Sequence, residues 1–303
     1  MNLTISMYPF FGDILKREGA REAVRFAREC GFSGVEILEG VRPGSMPLFK
    51  DDRQITELKQ LLDENGMVCT CYSVSINILS DALGENRDLS GVEALKLCAD
   101  RAKALGSPFL HHTLTIGYNP PADSVDTVTE ILPALLERVS EVAAYCNQLG
   151  LTVLYEPQGY YVNGLDGFPR FYDEMKRRGY SVGVCGDTGN SLYADCDPTA
   201  FFARYAADIR HVHIKDIQVE NAAVNRGNTA VSRRWDVSRG GTYLTDTYLG
   251  EGSVDLNACM EHLQRVGYTG AYSIETFYWN TLSVSLKDNY KRDMTYVLMH
   301  FAE

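Results

Sequence analysis

The chain has 303 residues, 45% of them hydrophobic and 23% charged, with a formal net charge of -11. This is the make-up of a globular protein with ample core. Its acidity argues against a nucleic-acid partner, because phosphate binding needs a basic face; a small anionic substrate stays open, since local Arg or Lys can override the global field. No uninterrupted apolar run reaches membrane-spanning length, and the opening MNLTISMYPF has neither a basic stretch nor a small-residue cleavage site. A cytoplasmic protein without a membrane partner is expected. Of the eight cysteines, none forms two CxxC pairs, so a zinc ribbon is unsupported and buried free thiols are expected.

Strand-like and helix-like patterns alternate from one end to the other, which predicts a parallel sheet with crossover helices. Strands are expected at residues 3–8, 34–38, 67–75, 108–113, 151–156, 181–187, 209–214 and 271–275. Amphipathic helices are expected at 13–30, 52–64, 92–105, 125–149, 168–178, 198–207, 256–266 and 286–301, with Gly31, Gly106 and Gly150 stopping three of them. Eight strand–helix units without a linker make a single (β/α)8 TIM barrel spanning 1–303. One connection breaks the rhythm. After the seventh strand, residues 216–255 read as a long loop without clear periodicity, rich in Arg, Asn, Gly and Tyr. Its place over the barrel mouth suggests a lid hinged at Gly240–Gly241, with an oligomer contact as the alternative.

Four of the apolar runs end in one hard, charged or imidazole group: Glu156 in TVLYEP, Asp187 in VGVCGD, His213 in IRHVHIKD and Glu275 in AYSIET. Strand ends of a βα barrel converge on one mouth, where the active sites of such barrels lie. Three carboxylates and an imidazole meeting there call for a divalent cation. Mn²⁺ is expected first, with Mg²⁺, Co²⁺ and Zn²⁺ as alternatives. A lone acidic residue after a strand is more often a helix cap than a ligand, as Asp187 before Thr188–Gly189 illustrates, whereas Glu156 before Pro157 and Glu275 before Thr276 follow apolar runs that would otherwise end in the core. Of the adjacent pair His111–His112, alternation lets at most one face the barrel interior, where it would bind substrate or act as an auxiliary acid–base. His211 shares a face with His213 and is expected to orient it. Arg226, Arg233, Arg234 and Arg239 in the long loop could hold a phosphate or carboxylate.

The strings GFSGVEI, LYEP, GVCGDTGN, HVHIKD, GEGSVDL and GYTGAYSIET together resemble the sugar phosphate isomerase/epimerase family of the xylose isomerase-like barrel superfamily, through nearly the whole chain. The resemblance implies one catalytic divalent metal on Glu156, Asp187, His213 and Glu275, with the two glutamates exchanging a substrate proton. It also implies substrate contacts from Lys215 and Asp216, as in inosose dehydratase-like members. Asn190 stands where the epimerases commonly carry His; it can donate to a hydroxyl but not transfer a proton. The trinuclear zinc nuclease relatives need further His ligands that this chain lacks. The expected reaction is therefore isomerisation or epimerisation of a ketose or oxo-sugar, phosphorylated or not, through a metal-stabilised enediolate. The alternative is a lyase that expels water or a glycosidic aglycone from a 3-oxo-sugar or inosose. The expected partners are the sugar substrate and either a second copy of the chain or a small accessory subunit.

Overall fold

A computed structural model describes residues 1–8, 12–41, 47–79, 91–115, 127–221, 235–276 and 285–301. In chain order its strands are β1 (Asn2–Ser6), β2 (Gly34–Val41), β3 (Val68–Ile76), β4 (Phe109–His112), β5 (Thr152–Tyr155), β6 (Val182–Asp187), β7 (Ile209–Ile214), β8 (Asp216–Glu220), β9 (Asp236–Val237), β10 (Tyr243–Thr247) and β11 (Ala271–Ile274). Eight of these close a barrel in the order β1-β11-β7-β6-β5-β4-β3-β2, and every pairing within it is parallel. The helices are α1 (Gly12–Glu18), α2 (Ala20–Cys30), α3 (Asp52–Glu64), α4 (Gly91–Leu105), α5 (Thr127–Gln148), α6 (Gly164–Arg177), α7 (Pro198–Tyr205), α8 (Leu256–Arg265) and α9 (Leu286–Phe301). The expected (β/α)8 barrel is thus the observed one. No helix among the described residues is long and apolar enough to cross a membrane.

Period-two alternation sorts side chains between two environments. Val35, Ile37, Tyr72, Val74, Val184, Val212 and Ile274 point outward and join the helices in the main core. Inside the barrel, Cys71, Leu154 and Cys185 form a separate small apolar layer. Two bulges shift this alternation, one between Val35 and Glu36 where β2 meets β3, the other between Val184 and Cys185 where β6 meets β7. The outer layer is closed by rings: Phe168, Phe201 and Tyr205 of α6 and α7 meet edge to face or tilted at 4.8–5.4 Å between centroids. Fully burying one such ring stabilises the fold by about 1.5–3 kcal/mol.

Two expectations need correction. The helix expected over 13–30 is two helices, because Gly19 adopts a φ of 90° that only glycine takes without strain. The long connection after the seventh strand is not irregular throughout: β8 pairs antiparallel with β10, and β10 with β9, in a small sheet of their own. The run DIQVE alternates apolar and polar residues, so it carries a strand signal after all. The stretch is pinned at both ends. Asp216 Oδ1 accepts from the backbone N–H of Ile217 and Val254, and its Oδ2 from those of Gly250 and Gly252, at 2.9–3.2 Å. A side-chain carbon at Gly252 would stand 2.0 Å from Asp216 Oδ1, so that position admits only glycine. Farther along, Arg239 donates to Asp166 and to the carbonyls of Tyr160 and Ala194. Gly240, expected as part of a hinge, donates its N–H to Asp195 Oδ2 at 2.6 Å and is held in a fixed turn.

Asp216 is therefore spent on backbone groups, not on substrate. Asp216→Ala would strand four buried or half-buried N–H groups. It should destabilise the protein by roughly 2–4 kcal/mol, the scale of losing several charge-assisted hydrogen bonds; urea unfolding of the variant against the parent measures this.

Candidate metal and active site

The carboxyl ends of β5, β6, β7 and β11 bring Glu156, Asp187, His213 and Glu275 together. One donor atom from each lies within 4.8 Å of all the others, and all four side chains are largely buried. His213 Nδ1 faces the cluster, 2.7 Å from Glu156 Oε1 and 3.6 Å from both Asp187 Oδ2 and Glu275 Oε2. Asp187 divides its two oxygens. Its Oδ1 accepts the N–H groups of Gly189 and Asn190, capping the 3₁₀ turn Asn190–Ala194, while Oδ2 turns to the cluster. One carboxylate thus ties down the start of the turn with Oδ1 and keeps Oδ2 facing the cluster. Three hard oxygens and one imidazole nitrogen are a donor set that a divalent cation would fit.

Lys215 holds the cluster from another side. Its Nζ lies 2.8 Å from Asp187 Oδ2 and 2.8 Å from Glu275 Oε2, so an ammonium draws these two carboxylates together. Burial opposes ionisation of Asp187, but Lys215 and His213 outweigh it and hold its carboxyl below the usual range. Glu156 goes the other way: burial, with the charges of Asp187 and Glu275, pushes its pKa up to about 8, although His213 opposes this. For His213, burial favours the neutral ring, yet the acidic groups around it, Cys185, Glu36, Glu275 and Glu156, raise its pKa well above the ordinary histidine value.

The residue that sequence reasoning missed is Glu36. It lies on β2, across the barrel from β7, and is 1% exposed. Its carboxylate takes His213 Nε2 at 2.8 Å, His211 Nε2 at 3.3 Å, Ser273 Oγ at 2.6 Å and the hydroxyl of Ser73. His213 thus uses Nε2 for Glu36 and presents Nδ1 to the cluster, the arrangement that orients a metal-binding imidazole. His211 does not touch His213 through a hydrogen bond; it shares the same carboxylate. The clue in the sequence was a charged residue in GVEIL, between two apolar neighbours that alternation sends outward.

His111 and His112 separate as alternation requires. His111 faces inward, with Nδ1 3.0 Å from Ser73 Oγ and Nε2 3.7 Å from Glu156 Oε2. Because Ser73 donates its proton to Glu36, its oxygen accepts from His111 Nδ1–H. Burial and the neighbouring His213 keep His111 neutral, which leaves Nε2 as a free acceptor towards Glu156. His112 turns away from the mouth: its Nδ1 donates to the Thr113 carbonyl, and its ring meets Tyr155 edge to face at 5.3 Å. It packs in the layer beneath the helices and does not reach the cluster, contrary to the expected substrate contact. Asn190 reaches Asp187 through its N–H. Arg226, Arg233 and Arg234 lie outside the described residues.

An eight-stranded parallel barrel with a charged cluster at the carboxyl ends of its strands defines the class. A family model described as xylose isomerase-like TIM barrel matches residues 24–298, and the chain belongs to that family. The rhizopine catabolism protein MocC of Rhizobium meliloti is 30% identical over 128 residues, which is 41% of this chain and 34% of that protein. Inosose dehydratase of Geobacillus thermodenitrificans (strain NG80-2) is 25% identical over 141 residues, 46% of this chain and 44% of that enzyme. The matches therefore span less than half of either relative. Among solved structures, the 3-keto-D-glucoside 4-epimerase YcjR from E. coli superposes with a TM-score of 0.69 at 18% identity, covering 99% of each chain, a likeness of fold.

Glu36→Gln keeps the shape of the side chain but removes the charge that faces His213 and His211. It should weaken Mn²⁺ or Zn²⁺ binding about 10–100-fold, the usual cost of losing a ligand's supporting carboxylate. Calorimetric metal titration of the folded variant measures it.

Proposed function

We propose that this protein is a divalent-metal-dependent isomerase or epimerase of a ketose or oxo-sugar. The observation that carries this reading is the order of the donors around the barrel. Glu156, Asp187, His213 and Glu275 follow β5, β6, β7 and β11, four neighbours in the closed sheet, so the two glutamates stand at opposite flanks of the cluster. A divalent cation bound there, Mn²⁺ by preference, would supply the Lewis acidity that stabilises an enediolate when an α-proton leaves.

The remaining work falls to side chains. Glu156, whose pKa burial raises in the metal-free site, stands on one flank of the cluster, where it would take a proton from carbon. Glu275 on the other flank returns one to the opposite face. Lys215 Nζ beside Glu275 Oε2 can donate to a substrate oxygen, and His111 Nε2 can accept from a hydroxyl or from protonated Glu156. Elimination is a second reading, favoured by the match to inosose dehydratase and by Lys215 as an acid for a leaving hydroxyl. The two readings separate by product mass, since only elimination loses water.

Four outcomes follow from this reading. Glu156→Gln and Glu275→Gln should each lose about 10²–10⁴-fold in turnover while still binding metal, because the amide keeps an oxygen ligand but takes no proton. Incubation with substrate in deuterated water should place deuterium beside the carbonyl; full activity in both variants would end the two-base model. Asp187→Ala and His213→Ala should abolish metal binding outright. The proton on Glu156 competes with metal below about pH 8. The proton on His213, whose pKa is raised as well, also competes, so apparent metal affinity should rise with pH through this range, with proton release seen by calorimetry in buffers of different ionisation heat.

A further inference from the structure

We propose that Asn163 is a positioning residue for the metal centre: its side-chain amide fixes the turn that aims Asp187 at the cluster, and ties that turn to the segment that follows Glu156. The inference rests on the reading of Glu156, Asp187, His213 and Glu275 as metal ligands. Asn163 is fully buried at the start of α6. Its Oδ1 accepts the N–H of Gly164 at 2.6 Å, and its Nδ2 donates to two carbonyls, that of Gly159 at 2.6 Å and that of Asn190 at 2.8 Å. The amide oxygen and both amide protons are thereby used. The opposite orientation would set the amide oxygen against two carbonyl oxygens, so the contacts themselves decide which end is the donor.

Asn190 is where the segments behind the two ligands meet. Its N–H goes to Asp187 Oδ1 at 2.7 Å and its carbonyl to Asn163. One residue thus passes the constraint from the buried amide to the metal-facing carboxylate. With Oδ1 tied, the carboxylate has little freedom to rotate, and Oδ2 keeps its heading. The far end of the 3₁₀ turn has no slack to absorb a shift. Asp195, which ends it, holds a φ of 56°, in the left-handed region. Its Oδ1 accepts from Ser238 Oγ at 2.5 Å and its Oδ2 from the Gly240 N–H at 2.6 Å, which pins the turn to the small sheet. The start of α6 also lies against it: a side-chain carbon on Gly164 would stand 3.2 Å from Cys196 Cβ and 3.3 Å from Ala194 Cβ. Glu156 and Asp187 follow neighbouring strands of the barrel, so a turn held from both sides fixes the spacing of two adjacent ligands.

The test is calorimetric titration of the full chain with Mn²⁺, parent against Asn163→Asp. Aspartate caps a helix as well as asparagine does, so α6 keeps its start, but the carboxylate has no proton for Gly159 or Asn190 and repels both carbonyls. Asn163→Ser, which also caps but is too short to bridge the two carbonyls, is the second variant should the buried charge of the first prevent folding. Mn²⁺ affinity should fall about tenfold in either, the lower end of what losing an outer partner of a metal ligand costs. Leu95→Ala, at a buried core position of α4, is the comparison: it should lower the urea midpoint and leave Mn²⁺ affinity as in the parent. Folded Asn163 variants that bind Mn²⁺ as the parent does would overturn the proposal. So would an equal loss of affinity in Leu95→Ala, since the effect would then report stability alone. The metal reading fails in a different way. A parent that binds no divalent cation removes that reading and this inference together, whereas a parent that binds it beside unaffected Asn163 variants removes the inference alone.

Discussion

Inside the barrel a carboxylate, an imidazole and a second carboxylate are hydrogen-bonded in series: Glu36 from β2, His213 from β7 and Glu156 at the end of β5. Placing charges in such an interior costs several kcal/mol per ion after relaxation, and only good geometry with further hydrogen bonds offsets it. Those bonds are present. Glu36 has four donors around it, and although burial works against its charge, His213 and His211 hold its pKa well below the usual carboxylate range. The series ties three strands of the barrel together and orients the imidazole. Removing one member takes a hydrogen bond and a compensating charge from the next, so fold and site are stabilised by the same contacts.

The site is also fixed from its backbone side. Asp187 Oδ1 is tied to two N–H groups, the Glu275 N–H donates to the Ile214 carbonyl, and the Lys215 N–H donates to Thr188 Oγ1. Donors held this way lose little freedom when a ligand arrives, which is how a rigid scaffold sharpens a binding site. The small sheet of β8, β9 and β10 adds an outer wall anchored by Asp216 and Arg239.

Much of this was legible in the sequence, and the reasons differ by residue. Barrel strands showed as apolar runs because both of their faces are buried, and a charge ending such a run, as in LYEP or SIET, has nowhere to go except the mouth. Glu36 sits in the middle of its strand, so no end-of-run signal marked it, and only its phase against Val35 and Ile37 did. His111 and His112 could not be told apart until the register with Ser73 was known. Asp216 looked like a substrate ligand because it follows Lys215. Its real partners, Gly250, Gly252 and Val254, are more than thirty residues farther on, and no local pattern foretells such contacts. The short strands after β7 were missed because the alternation in DIQVE is brief and its partner lies across residues 222–234.

The bulge where β6 meets β7 bears on how such a barrel tolerates change. Ile209 pairs with Val184, but His211, not Arg210, pairs with Cys185, so one extra residue has entered β7. Ile209 packs among the helices, whereas His211 and His213, at the same parity, face the barrel axis. Strict alternation would send all three the same way; the inserted residue reverses the phase. The imidazoles therefore owe their inward orientation to the bulge as much as to side-chain identity. Deleting Arg210 would place His211 directly after Ile209 and restore plain alternation with both rings still facing the axis, whereas straightening the bulge with Arg210 kept would turn them outward.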